Sequence, residues 1–108
     1  MAYDEALARR IRDRLGAEPG VVEKKMFGGL GFLSHGNMTV GVSGPDLIVR
    51  LDPAGVDAAL DQPGARPFEV GGRGMRNWLL VSAAVLDDDA LAGWIARART
   101  FVATLPPK

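Results

Sequence analysis

The chain has no cysteine among its 108 residues and a single histidine, His35. Disulfides, a thiol nucleophile and a thiolate metal site are thereby excluded. A surplus of one charge is missing too. Thirteen basic residues balance thirteen acidic ones, so no global field draws the chain to nucleic acid or anionic lipid. No apolar run approaches the ~20 residues that a membrane helix needs. The start, Met1-Ala2-Tyr3-Asp4-Glu5, lacks the basic and apolar regions of a signal peptide. These absences point to a cytoplasmic protein with no membrane partner.

What is present suits one domain over residues 1–108. A hydrophobic fraction of 47% and a charged fraction of 24% are those of an ordinary globule, and the length leaves no room for a second domain. The organising stretch is Lys25-Met26-Phe27-Gly28-Gly29-Leu30-Gly31-Phe32-Leu33. Large apolar residues alternate there with glycines, and a turn follows at Ser34-His35-Gly36-Asn37. It reads as strand, kink, strand and hairpin, the glycines admitting a bend that a side chain resists.

Residues from Tyr3 to about Leu15 read as an amphipathic helix with Leu7, Ile11 and Leu15 on one stripe. Val21 to Phe27 is the first strand, Leu30 to Leu33 continues beyond the glycines, and Asn37 to Val42 returns antiparallel. Strict alternation puts Met38, Val40 and Val42 on one face of that return, and Asn37, Thr39 and Gly41 on the other. Leu47 to Leu51 follows, with Leu47, Val49 and Leu51 inward and Arg50 outward. Asp52-Pro53 looks like the N-cap and first residue of a short helix, about Ala54 to Leu60, with Val56 and Leu60 as its apolar pair. Pro67 limits the piece around Phe68 to an edge or irregular strand. Gly71-Gly72-Arg73-Gly74 reads as a loop and Trp78 to Ser82 as the last strand, with Trp78 as a core anchor. Asp87-Asp88-Asp89 opens a final helix whose stripe is Leu91, Trp94, Ile95, Ala98 and Val102.

No repeating βαβ unit appears. The pattern gives an α+β fold in two layers, an antiparallel sheet with helices on one face. Its order is helix, three or four strands, short helix, two strands, helix. The uncovered face then offers Thr39, Gly41 and Ile48 near Arg50, a flat mixed surface.

Few groups point to chemistry. A strand, not a helix opening with lysine and a hydroxyl residue, follows Gly28-Gly29-Leu30-Gly31, so the run is a structural kink rather than a phosphate cradle. His35 has no acidic neighbour in sequence and reads as an exposed turn residue. Three consecutive aspartates do not match the spacing of a calcium loop and are explained by capping. No catalytic residue, cofactor or metal is expected. Arg66, Arg73 and Arg76 lie close in sequence, with Phe68 and Trp78 flanking them, and such a group can grip single-stranded nucleic acid or an anion. Arg50 is the fourth candidate for that surface.

Several separated motifs also match a known family in order. They are Met26-Phe27-Gly28-Gly29-Leu30-Gly31-Phe32, Gly36-Asn37-Met38, Leu47-Ile48-Val49-Arg50, Pro63-Gly64-Ala65-Arg66-Pro67-Phe68, then Met75, Trp78 and the helix with Trp94. Over nearly its whole length the chain resembles the N-terminal domain of the TfoX/Sxy competence regulators. Gly74 stands where that family usually has proline. The resemblance implies a two-layer α+β domain similar to secretion-chaperone-like folds, and a link to bacterial competence or transcription regulation. Full-length members carry a C-terminal helical domain, similar to helix-hairpin-helix modules; the expectation here is the N-terminal domain standing alone. The resemblance brings no catalytic residues.

Two functional readings result. The first is a non-enzymatic regulatory or interaction module that binds a protein partner or itself, as a homodimer. The second is a binder of nucleic acid or a small anion through Arg66, Arg73 and Arg76, with Lys24 and Lys25 adjoining. An enzyme would need a deep pocket joining His35 to distant carboxylates.

Overall fold

The computed structural model describes residues 3–15, 20–26, 29–70 and 73–106. Helix α1 (Glu5–Leu15) starts where Asp4 caps it, the carboxylate accepting from the amides of Ala6 and Leu7 at 2.8 and 3.3 Å. A meander follows: β1 (Val21–Met26), β2 (Gly29–Ser34), β3 (Asn37–Ser43) and β4 (Asp46–Arg50). His35 and Gly36 take positive φ, 50° and 84°, the pair that a two-residue hairpin turn with right-handed strand twist requires. Helix α2 (Pro53–Leu60) leads to β5 (Ala65–Val70), β6 (Arg73–Val81) returns between β4 and β5, and α3 (Asp88–Val102) follows.

The sheet order is β1-β2-β3-β4-β6-β5 with every neighbour antiparallel. β4 and β5 therefore run parallel with β6 between them. A tight turn cannot join them, and α2 supplies the crossover. Asp52 caps α2 by accepting from Ala54 N at 2.9 Å, and Asp87 caps α3 by accepting from Ala90 N at 2.7 Å. The expected α3 stripe of Leu91, Trp94, Ile95, Ala98 and Val102 is buried as a set. In α2 Ala59 is the buried residue, with Val56 and Leu60 half-buried beside it. All three helices cover one face of the sheet, over Phe32, Val40, Val42, Val49 and Leu79. That is the α+β architecture expected.

Alternation fails at one place. β2 and β3 pair from Leu30↔Val42 to Phe32↔Val40, but the next pair is Leu33↔Met38, so Thr39 has no partner on β2. This bulge turns the strand over. Val40 and Val42 join the helix-side core, while Met38 packs with Ile48 and Phe68 on the opposite face. The single face expected for Met38, Val40 and Val42 is thus corrected.

The flat mixed surface is corrected as well. Ile48 is 1% exposed, Met38 and Phe68 are buried, and Leu33, Trp78 and Leu80 pack around them. The Met38 methyl lies over Gly41, and Thr39 faces the helices instead. Between β5 and β6 the pairing jumps from Pro67↔Leu79 to Glu69↔Gly74, so residues 75–78 stand against Phe68 alone. Such an irregularity bends the ladder, and Phe68 and Trp78 meet with ring centroids 6.5 Å apart. Arg73 and Gly74, expected in a loop, are paired in β6; Gly71 and Gly72 lie outside the described residues.

Arg12 ties α1 to β1 through two N–H···O bonds to the Glu23 carboxylate, one of 2.7 Å. That hydrogen-bonded pairing holds the Glu23 carboxyl below its ordinary range. A carboxyl lowered on folding stabilises above its unfolded pKa, about 4.3, and loses that contribution as pH falls through the lower folded value. Wild type is expected to lose more stability than Arg12→Gln between about pH 6 and about pH 3, read from urea unfolding. Both side chains are solvated, so the difference stays under ~1 kcal/mol.

Candidate functional site

The four arginines singled out in the sequence do not form one described cluster. Arg66 is paired with Asp46, an ion pair that spans the intervening strand β6. Asp46 Oδ1 also accepts from Ala83 N at 3.3 Å. Arg50 lies at the other end of β4. The side chains of Arg73 and Arg76 are outside the described residues, as are Phe27, Gly28 and the side chain of Met26. Of the remaining motif residues, Phe32 is core, Gly36 is in the hairpin turn, and Trp78 is half-buried in the helix-free cluster. Gly29 and Gly31 sit in β2 and are buried.

Arg50 alternates away from the core residues Val49 and Leu51, as expected, and is half-buried rather than fully solvated. The β3–β4 ladder stops at Val40↔Val49, next to the Thr39 bulge, and Arg50 lies just beyond the last pair. Its guanidinium carbon lies 5.3 Å from the ring centroid of Trp78 and 5.7 Å from that of Phe101 on α3. Nη1 donates a long bond of 3.4 Å to Met38 O, and buried Nε finds no acceptor. Desolvation lowers its pKa. Two ring contacts therefore oppose one unsatisfied donor and a partly desolvated charge. Arg50→Met keeps the volume and removes the orphan donor, so it is expected within ~1 kcal/mol of wild type. Arg50→Ala removes the packing against both rings and costs about 2 kcal/mol; urea unfolding separates the two.

The sheet is open, with β1 and β5 at its edges. β5 carries Pro67 and the irregular register, features that blunt an edge. β1 carries neither. It pairs with β2 without a break from Val21↔Ser34 to Met26↔Gly29, and among the described residues no strand covers its outer side. Val22 is 59% exposed there, the one exposed large apolar side chain among the described residues. It stands beside Leu33 on the helix-free face, with Lys24 and Lys25 exposed farther along. The sequence shows Val22 as one more apolar strand residue. Its importance appears only once β1 is known to be an edge.

A cavity of about 730 Å3 opens between the β2–β3 hairpin and the C-terminal half of α3, with His35 and Arg99 in its lining. Its described lining contains no carboxylate to orient His35. Among the described residues no group of three His, Asp or Glu could hold a metal ion, and no helix is long and apolar enough to cross a membrane.

Comparison with known proteins gives one finding. The family described as the TfoX N-terminal domain matches residues 13–102, which takes in every element from within α1 to the end of α3. No curated protein and no solved structure matches the chain.

Proposed function

The chain belongs to the TfoX N-terminal domain family, and on that footing we propose that it is a non-enzymatic regulatory module acting by protein interaction, with the free edge of β1 as contact and a second copy of itself as partner. The observation that carries this is Val22, exposed on a regular edge strand that no described strand covers. Such an edge offers unpaired backbone donors and acceptors to another strand. Burying one valine side chain adds roughly 1.5–3 kcal/mol.

Charge selects the register. Antiparallel pairing about a two-fold axis normal to the sheet sets one residue opposite its own copy. Centred on Glu23 or on Lys24, it opposes like charges, which destabilises. Centred on Val22, it sets valine against valine, Val21 against Glu23 and Gly20 against Lys24, and no like charges meet.

Val22→Asp places two carboxylates at that axis. The dimer dissociation constant, measured by analytical ultracentrifugation, is expected to rise by more than about tenfold, which corresponds to 1.4 kcal/mol. An unchanged constant removes the β1 interface. Salt-dependent oligonucleotide binding lost in the Arg73→Ala, Arg76→Ala double variant would place the contact in the basic segment instead.

A further inference from the structure

We propose that the cavity between the β2–β3 hairpin and α3 binds a small amphipathic anion, a monocarboxylate with an apolar body. Its volume of about 730 Å3 falls in the range of small-molecule sites, ~300–1,000 Å3. The argument starts from two side chains. Asn37 is 3% exposed and Thr39 is 1% exposed, the two buried polar side chains among the described residues. Both line this one cavity.

Thr39 is there because of the bulge. In a regular strand it would point away from its neighbour Val40, to the helix-free face. As the extra residue of β3 it is re-aimed toward α3, a use of bulges typical of binding sites. Its hydroxyl makes a long bond of 3.4 Å to Asn37 O, and at 1% exposure it forms the polar floor behind the cavity wall. Asn37 Nδ2 donates to Pro106 O at 2.9 Å and holds the segment after α3 against the wall.

The rest of the lining sets the ligand class. Leu15, Val21, Phe32, Val102 and Leu105 supply apolar walls. Arg99 of α3 is the one arginine or lysine in the described lining, and its five N–H donors can meet a carboxylate in addition to a protein partner. Among the described lining residues none is acidic, which favours an anion over a cation there. The site is separate from the β1 edge: Val21 turns toward the helices, and Val22 toward the other face.

Isothermal titration of the full chain with decanoate and with uncharged decanol tests this. Decanoate is expected to bind at a single saturable site, about tenfold or more tighter than decanol, and to weaken by a similar factor in Arg99→Gln, with Arg99→Lys recovering part of the loss. Thr100 is an exposed lining residue, so Thr100→Trp fills the mouth without touching the core. It is expected to abolish binding while the melting temperature stays at the wild-type value. No saturable binding to wild type, decanol bound as tightly as decanoate, or wild-type affinity in both Arg99→Gln and Thr100→Trp overturns the proposal.

Discussion

Gly29→Ala is expected to cost at least ~3 kcal/mol, more than ordinary overpacking. A Cβ at Gly29 runs into the carbonyl oxygen of Val42, with the Val42 carbonyl carbon 3.1 Å and Ser43 Cα 3.4 Å away. All three atoms are backbone of β3, a strand hydrogen-bonded on both sides, so no rotamer change relieves the clash. For a domain of this size the melting temperature falls by roughly 12–24 °C. Gly55→Ala is the matched control. No atom lies within 4 Å of its Cβ position, and Gly55 sits inside α2. That variant is expected to gain about 0.5–1 kcal/mol from helix propensity. Thermal melts of the two variants should move in opposite directions; a Gly29→Ala protein as stable as wild type refutes the close approach of β2 and β3 there.

Phe32→Ala is the second large effect, about 3–5 kcal/mol by urea unfolding. Phe32 is 1% exposed and forms part of the helix-side core, so its removal takes both transfer energy and packing from the main cluster. Its ring also lines the cavity beside Thr39. The space left behind joins an existing opening, and water entry should hold the cost near the lower limit. The same variant removes an apolar wall from the proposed anion site, so decanoate affinity should fall with stability. A loss below about 1 kcal/mol contradicts the core position assigned to Phe32.

The sequence carries local features well. Asp52-Pro53 and Asp87 announce their helix starts because an N-cap is a short-range hydrogen bond. The α3 stripe follows from helical spacing, and His35-Gly36 from the backbone angles of a hairpin turn. The Thr39 bulge was illegible for a definite reason: residues 38, 40 and 42 are all apolar, so the pattern stays in phase while the strand does not. Alternation puts Arg50 opposite to Leu47, Val49 and Leu51, but its contacts with Trp78 and Phe101 are illegible because both rings are distant in sequence. Arg66 looked available because Asp46, its partner, is distant in sequence and on another strand. Edge status is the last case. Nothing within Val21–Met26 says that β1 has one neighbour rather than two; strand order is set by where β6 inserts.

The interaction reading moves with these corrections. The helix-free face closes over itself through Met38, Ile48 and Phe68, and the accessible apolar group is at the β1 edge. Light scattering across a protein concentration series at low and high salt tests that edge most directly. The expected result is a mass rising toward twice the 11.5 kDa of the chain, insensitive to salt and lost in Val22→Asp. A monomer at every concentration in both salts contradicts the β1 interface.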